Sequence, residues 1–163
     1  MQNYNLIYYP DRRLKQKAEF VTVFNQDLKK EIDTIFKVMY QHKGIGLSAI
    51  HLGILKHVIV IDLSENNSSP QIFINTKLLD KKGETQATEG SVSAPGIKAK
   101  IKRYEETTIA YQDLNGEENT LTTDGLLSIC IQHELEQLSG KFFLENLSKV
   151  KQKILLNKLQ KQR

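Results

Sequence analysis

The segment Asp124-Gly125-Leu126-Leu127-Ser128-Ile129-Cys130-Ile131-Gln132-His133-Glu134-Leu135-Glu136-Gln137-Leu138-Ser139 reads as one helix. Leu126, Leu127, Ile129, Cys130, Ile131, Leu135 and Leu138 fall on nearly every side of it. A helix that is apolar all round belongs inside a domain, not on its surface. A central buried helix is therefore expected, with Gly140 placed to end it. Within it, His133-Glu134-Leu135-Glu136-Gln137 has the pattern of H-E-x-x-H with the second histidine replaced. In the intact pattern two His one turn apart face a metal, and the Glu between them acts as general base. His133 and Glu134 keep their places; Gln137 holds the third.

Beyond Gly140, Leu147, Val150, Ile154, Leu155 and Leu159 predict an amphipathic helix over about residues 145–163. Upstream, residues 107–114 and 118–123 flank Asn115-Gly116, a dipeptide favouring a tight hairpin turn with positive φ, so an antiparallel pair is expected. Residues 57–63 and 71–79 read as two more strands, separated by the polar loop Ser64-Glu65-Asn66-Asn67-Ser68-Ser69-Pro70. Asn25 is a candidate cap for a helix whose Leu28, Ile32, Ile35, Phe36 and Met39 face the core, with Gly44 beyond its end. Strands dominating the first two-thirds and helices the last third indicate an α+β domain.

At 163 residues and 39% hydrophobic content, the chain is read as a single domain, 1–163, with a real core. No apolar run approaches the ~20 residues of a membrane span. Met1-Gln2-Asn3-Tyr4-Asn5 lacks a basic segment followed by an apolar one, so a cytoplasmic protein is expected. The lone Cys130 cannot form an internal disulfide, which suits a reducing compartment. From Asn146 onward, Lys149, Lys151, Lys153, Lys158, Lys161 and Arg163 are unaccompanied by any acid. Removing those six from the net charge of +4 leaves the body at −2. The basic tail reads either as a solvated helix face or as a contact for anionic RNA.

Two further segments carry glycines: Gly44-Ile45-Gly46-Leu47-Ser48-Ala49-Ile50-His51 and Glu89-Gly90-Ser91-Val92-Ser93. Alone, the first is an ordinary turn pattern and the second a polar connection. With the helix at His133, in this order and spacing, they resemble the three motifs of peptide deformylases, G-x-G-x-A-A-x-Q, E-G-C-x-S and H-E-x-D-H. Tyr9-Pro10-Asp11, Arg13-Leu14, Val60-Ile61-Asp62 and the Asn-Gly hairpin extend the resemblance over nearly the whole chain. It implies antiparallel β-sheets around a central buried helix, with a C-terminal amphipathic helix. It also implies hydrolytic removal of the formyl group from the N-terminal formylmethionine of nascent bacterial or organellar proteins. Such enzymes hold a divalent metal, commonly Fe²⁺ with Zn²⁺ or Ni²⁺ as substitutes, by one Cys and two His. The Glu shuttles the proton, while the Gln of the first motif and the N–H following the Cys stabilise the oxyanion. The pocket implied by resemblance comprises Gly44, Ile45, Gly46, Glu89, Gly90, Leu126, Ile129 and Cys130.

The departures fall on the chemistry. Ser91 and Gln137 stand at two metal-ligand positions, leaving His133, and His51 replaces the oxyanion Gln; Glu134 and the Val92 N–H are retained. Glu136 for Asp and Ser48 for Ala are milder. A ligand thiolate is soft and anionic, whereas a serine hydroxyl is hard and weakly acidic, so weak or no metal binding is expected. No resident cofactor is expected, or at most a weakly bound Fe, Ni or Zn ion. Efficient deformylase activity is expected to be lost while a peptide groove persists. The competing expectation is an active metal-dependent deformylase using altered ligands, with His51 joining His133 and Glu134. Otherwise His51 fills space and hydrogen-bonds to Gln137 or Ser91. Cys130 reads as pocket wall or, less simply, as a sulfur donor. A nucleophilic Ser91 with His133 as base lacks an orienting acid and a G-x-S-x-G elbow. The basic tail offers a possible ribosome contact, as in deformylases that end in a similar helix.

Overall fold

The computed structural model describes residues 3–162; Met1, Gln2 and Arg163, which entered the readings of the N-terminus and the basic tail, lie outside them. Helix α1 (Gln26–Gln41) starts where Asn25 Oδ1 accepts the Leu28 N–H at 3.0 Å. That bond satisfies one of the free donors at the helix start. Leu28, Ile32, Ile35, Val38 and Met39 form its buried stripe. The helix ends before Gly44 as expected, with Lys43 taking the left-handed conformation at φ 56°. Gly44 instead permits a close approach: a Cβ there would lie 3.0 Å from Val92 Cγ1.

The strands β1 (Gly46–Ser48), β2 (Val58–Ile61), β3 (Gln71–Ser91), β4 (Ala94–Gln112) and β5 (Glu118–Asp124) form one antiparallel sheet in chain order. β2 is Val-Ile-Val-Ile and buried throughout because both its faces are covered. Val58 and Val60 join the cluster against α1, whereas Ile59 and Ile61 join a second cluster with Cys130, Ile131 and Leu138.

The strand expected over 71–79 continues to Ser91, where a two-residue turn at Val92 and Ser93 leads into β4. Residues 77–84 are exposed, so the apolar alternation that marks a strand is missing; the backbone ladder holds them, with surface contacts such as Lys82–Glu106 and Lys81 over Tyr104. Glu89-Gly90-Ser91 is thus the end of a strand, not a solvated connection. The hairpin between β4 and β5 is also longer than the tight turn expected. Asp113 Oδ1 accepts the N–H groups of Asn115 and Glu117, at 2.8 and 3.1 Å, and Gly116 supplies the positive φ of 79°.

Helix α2 (Gly125–Leu138) runs through the interior as expected, but much of what it buries is polar: Ser128, Gln132, Glu134 and Gln137. Gln132 docks it to β4 by accepting the Tyr104 N–H at 2.9 Å and donating to the Tyr104 carbonyl at 2.8 Å. Leu126, taken as part of the buried surface, is 53% exposed. Gly140 has φ 91°, and a Cβ there would lie 2.6 Å from the Lys15 carbonyl oxygen. A 3₁₀ turn, Phe143–Asn146, precedes helix α3 (Lys149–Lys161), so the last helix is shorter than expected. It is anchored by Leu159, with Leu155 half-buried, while Val150 and Ile154 of the expected stripe face outward. Among the described residues no helix is long and apolar enough to cross a membrane.

Candidate functional site

β1, the β3–β4 turn and α2 meet around a cavity of about 520 Å³. Its walls include Gly44, Ile45, Gly46, His51, Glu89, Gly90, Ser91, Val92, Leu126, Ile129, Cys130, His133 and Glu134. Every residue expected at the site from the sequence is therefore brought together except Gln137. That side chain is 1% exposed, and its Nε2 donates to the Leu14 carbonyl at 2.6 Å. Gln137 ties α2 to the N-terminal segment and is not among the pocket walls.

His133 is held by a charged relay that the motif alone does not reveal. Its Nδ1 lies 2.7 Å from Glu89 Oε1, and Arg103 donates to the same carboxylate through Nε at 2.6 Å and Nη2 at 2.8 Å. Arg103 Nη2 also donates to Glu136 Oε2 at 3.1 Å. The Arg103 and Glu89 side chains are 6% and 5% exposed. Glu89, expected only as pocket wall, thus orients His133 as well. Burial opposes ionisation of Glu89, but hydrogen bonds from Arg103 and His133 outweigh it and hold the carboxyl below its usual range. Burial likewise works against the His133 cation, yet the Glu89 hydrogen bond and the Glu134 and Glu89 charges raise its pKa.

Glu134 lies between two imidazoles. His133 Nε2 is 3.8 Å from Oε1, and His51 Nε2 is 3.8 Å from Oε2. Burial pushes the Glu134 pKa up, with the His133 charge and Ser48 pulling the other way. His51 is 1% exposed, and burial, then the His133 charge, lower its pKa to about 3. Its partner is Ser93, at 2.6 Å from Nδ1, instead of the Gln137 or Ser91 expected. Ser93 Oγ donates in turn to the Ile7 carbonyl at 2.6 Å.

Ser91 Oγ accepts the Ser93 N–H at 3.1 Å, with no hydrogen bond to His133, so the geometry assembles no serine–histidine pair there. Burial, then the Glu134 and Glu89 charges, drives the Cys130 thiol up to about 12, so it stands at the wall as a neutral thiol. Among the described residues no group of three or more His, Cys, Asp or Glu side chains is placed to hold a metal ion. Arg103 and Ser93 went unnoticed in the sequence. Ser93 is the last residue of the E-G-C-x-S-like segment, a signal that could have singled it out; Arg103 carries no such mark among its basic neighbours in β4.

A buried helix that delivers a histidine and a glutamate to a glycine-edged pocket with a partly apolar wall defines the class of α+β scaffold to which this chain belongs. Residues 3–153 match the family model described as polypeptide deformylase, and the chain belongs to that family. It is 43% identical over 157 residues to a peptide deformylase of Chromobacterium violaceum, covering 96% of this chain and 94% of that protein. It is 40% identical to one of Nitrosococcus oceani, with the same coverage. The fold matches a crystal structure of a peptide deformylase from Legionella pneumophila with a TM-score of 0.93 at 32% identity, covering 97% of this chain and 94% of the other. A Synechococcus elongatus peptide deformylase, solved in complex with actinonin, matches with a TM-score of 0.90 at 36% identity, covering 95% and 86%.

Proposed function

We propose that this chain is a peptide-binding member of the deformylase family that keeps the groove for a methionyl N-terminus and lacks efficient deformylation. The observation carrying this reading is the engagement of Gln137 with the Leu14 carbonyl at 2.6 Å, which leaves a metal-ligand position of the motif outside the pocket wall. A second ligand position is occupied by Ser91, whose neutral hydroxyl cannot supply the anionic sulfur that softer metals favour. The family's Cys, His and His set therefore does not fit here, as only His133 remains. Changes to groups that merely support metal ligands typically cost about 10–100-fold in affinity, so losing two ligands corresponds to roughly 10⁴-fold or more. Any bound Fe, Ni or Zn ion would be held weakly.

Without such an ion, water keeps a pKa near 15.7, far above the value of about 7 reached on a metal in the best cases. Glu134 is then a base with no activated water. The groove is a separate matter: Ile45 and Leu126, 43% and 53% exposed, together with Ile129 and Cys130, provide the apolar wall for a side chain. The setting is the bacterial cytoplasm, where such peptides arise. Lys149, Lys151, Lys153, Lys158 and Lys161 of α3 are exposed and form the surface for a ribosome contact. Replacing Lys149, Lys153 and Lys158 by Glu should abolish ribosome co-sedimentation at low salt; unchanged sedimentation removes that contact from the proposal.

The catalytic reading is tested by loading the purified protein with iron or nickel and measuring formate release from formyl-Met-Ala-Ser. No release above the metal blank is expected. The combined changes Ser91→Cys, Gln137→His and His51→Gln should restore both metal binding and hydrolysis. The second reading, an active deformylase with altered ligands, is favoured by the two imidazole Nε2 atoms that flank Glu134. Formate release by the wild type at an ordinary enzyme's rate would establish it.

A further inference from the structure

We infer that the floor of this pocket recognises a free N-terminal α-ammonium group in preference to a formylated one. The inference rests on the peptide-binding reading and specifies the class of N-terminus bound. It begins with one proton on Ser93. A serine hydroxyl has a single hydrogen to donate, and Ser93 gives it to the Ile7 carbonyl at 2.6 Å. Its 2.6 Å contact with His51 Nδ1 must then run the other way, Nδ1–H donating to Oγ. In the neutral ring that burial enforces, this assigns the tautomer: His51 Nε2 carries a lone pair and no hydrogen.

His51 Nε2 is buried without a hydrogen-bond partner, and so is Glu134 Oε2, 3.8 Å away. Both residues line the cavity and are at least nine-tenths buried. These two acceptor atoms thus face one another at the pocket floor without a hydrogen-bond partner, while Ser48 is the neighbour that favours the Glu134 carboxylate. Buried polar atoms left in this state cost free energy that a fitting ligand recovers.

Gln at the position of His51, as the family motif has it, would offer an amide N–H to a formyl oxygen. His51 in this tautomer offers an acceptor instead, so a formyl oxygen placed there would meet two acceptors. An ammonium group has three N–H donors, no acceptor, and a positive charge that suits the Glu134 carboxylate. Ile45 and Leu126 remain available to the first side chain.

The test uses the full chain in chelator-treated buffer and isothermal titration with Met-Ala-Ser and formyl-Met-Ala-Ser, with formate monitored. The free peptide should bind at least tenfold more tightly. His51→Gln should erase or reverse that preference, and Glu134→Gln, which keeps shape but removes the charge, should weaken the free peptide specifically. Equal or tighter binding of the formyl peptide overturns the ammonium inference and leaves the groove standing. Failure of both peptides to bind overturns the groove reading itself. A wild-type preference unchanged in both variants also overturns the assignment of the two acceptors.

Discussion

Replacing Gln137 by Leu separates a fastening role for this side chain from a ligand role. Gln137 is 1% exposed and its amide donates to the Leu14 carbonyl at 2.6 Å, across 123 residues of sequence. Leu is apolar and comparable in bulk, but it stops one bond short of Nε2 and has no donor. The variant loses a buried hydrogen bond and leaves a buried carbonyl unpaired, at a cost of about 1–3 kcal/mol. Extra apolar burial offsets part of this, leaving a net loss of about 1–2 kcal/mol. For a domain of this length each kcal/mol moves the midpoint by about 2–4 °C, so Tm should fall by roughly 2–8 °C. Urea denaturation checks the free energy through Cm at constant m, and calorimetry checks Tm. Gln137→His should be milder, because an imidazole Nδ1–H can replace the donor. Stability of Gln137→Leu within about 0.5 kcal/mol of wild type, the range of ordinary surface substitutions, would refute the fastening role.

Arg103→Met should be more damaging, since it strips the Glu89 carboxylate, 5% exposed, of its bidentate partner. Breaking one side of a buried ion pair typically costs about 3–5 kcal/mol, measurable by urea denaturation. Gly140→Ala imposes a side chain at φ 91° and a Cβ 2.6 Å from the Lys15 carbonyl oxygen. The backbone strain alone is worth about 1–3 kcal/mol, to be seen as a lower Tm. His57, which is not among the pocket walls, has its pKa lowered from 6.5 by burial. The unfolded chain therefore binds its proton more readily, so the His57 contribution to stability falls as pH drops below 6.5; His51 acts in the same direction and His133, with its raised pKa, in the opposite one. The stability difference between wild type and His57→Phe should stay constant above that pH and shift against the wild type below it; a difference that is constant throughout would rule the effect out.

The elements with strong periodicity were legible in the sequence. Asn25 capped the helix that its apolar spacing predicted, and the segment around His133 became the buried helix. Two features escaped. The outer half of β3 is exposed and charged, so nothing in its side chains marks a strand; its ladder with β4 does. Val150 and Ile154 have helical spacing but face outward, because α3 rests on the body through Leu159 nearer its C-terminal end. Periodicity specifies a face, and only the neighbouring elements decide whether that face is covered.

The division at the site is sharper. Motif order and spacing were enough to gather thirteen of the expected residues around one cavity, and to place Ser91, Gln137 and His51 at positions that hold metal or oxyanion by resemblance. The identities of those three residues, and so the chemistry in question, were set by the sequence itself. Hydrogen-bond direction was not. Gln137 could be assigned to Leu14, and His51 to an acceptor tautomer through Ser93 and Ile7, only once segments distant in the chain were brought into contact. A side chain's type limits which protons it can give or take; its tertiary partners decide which of them remain for a ligand.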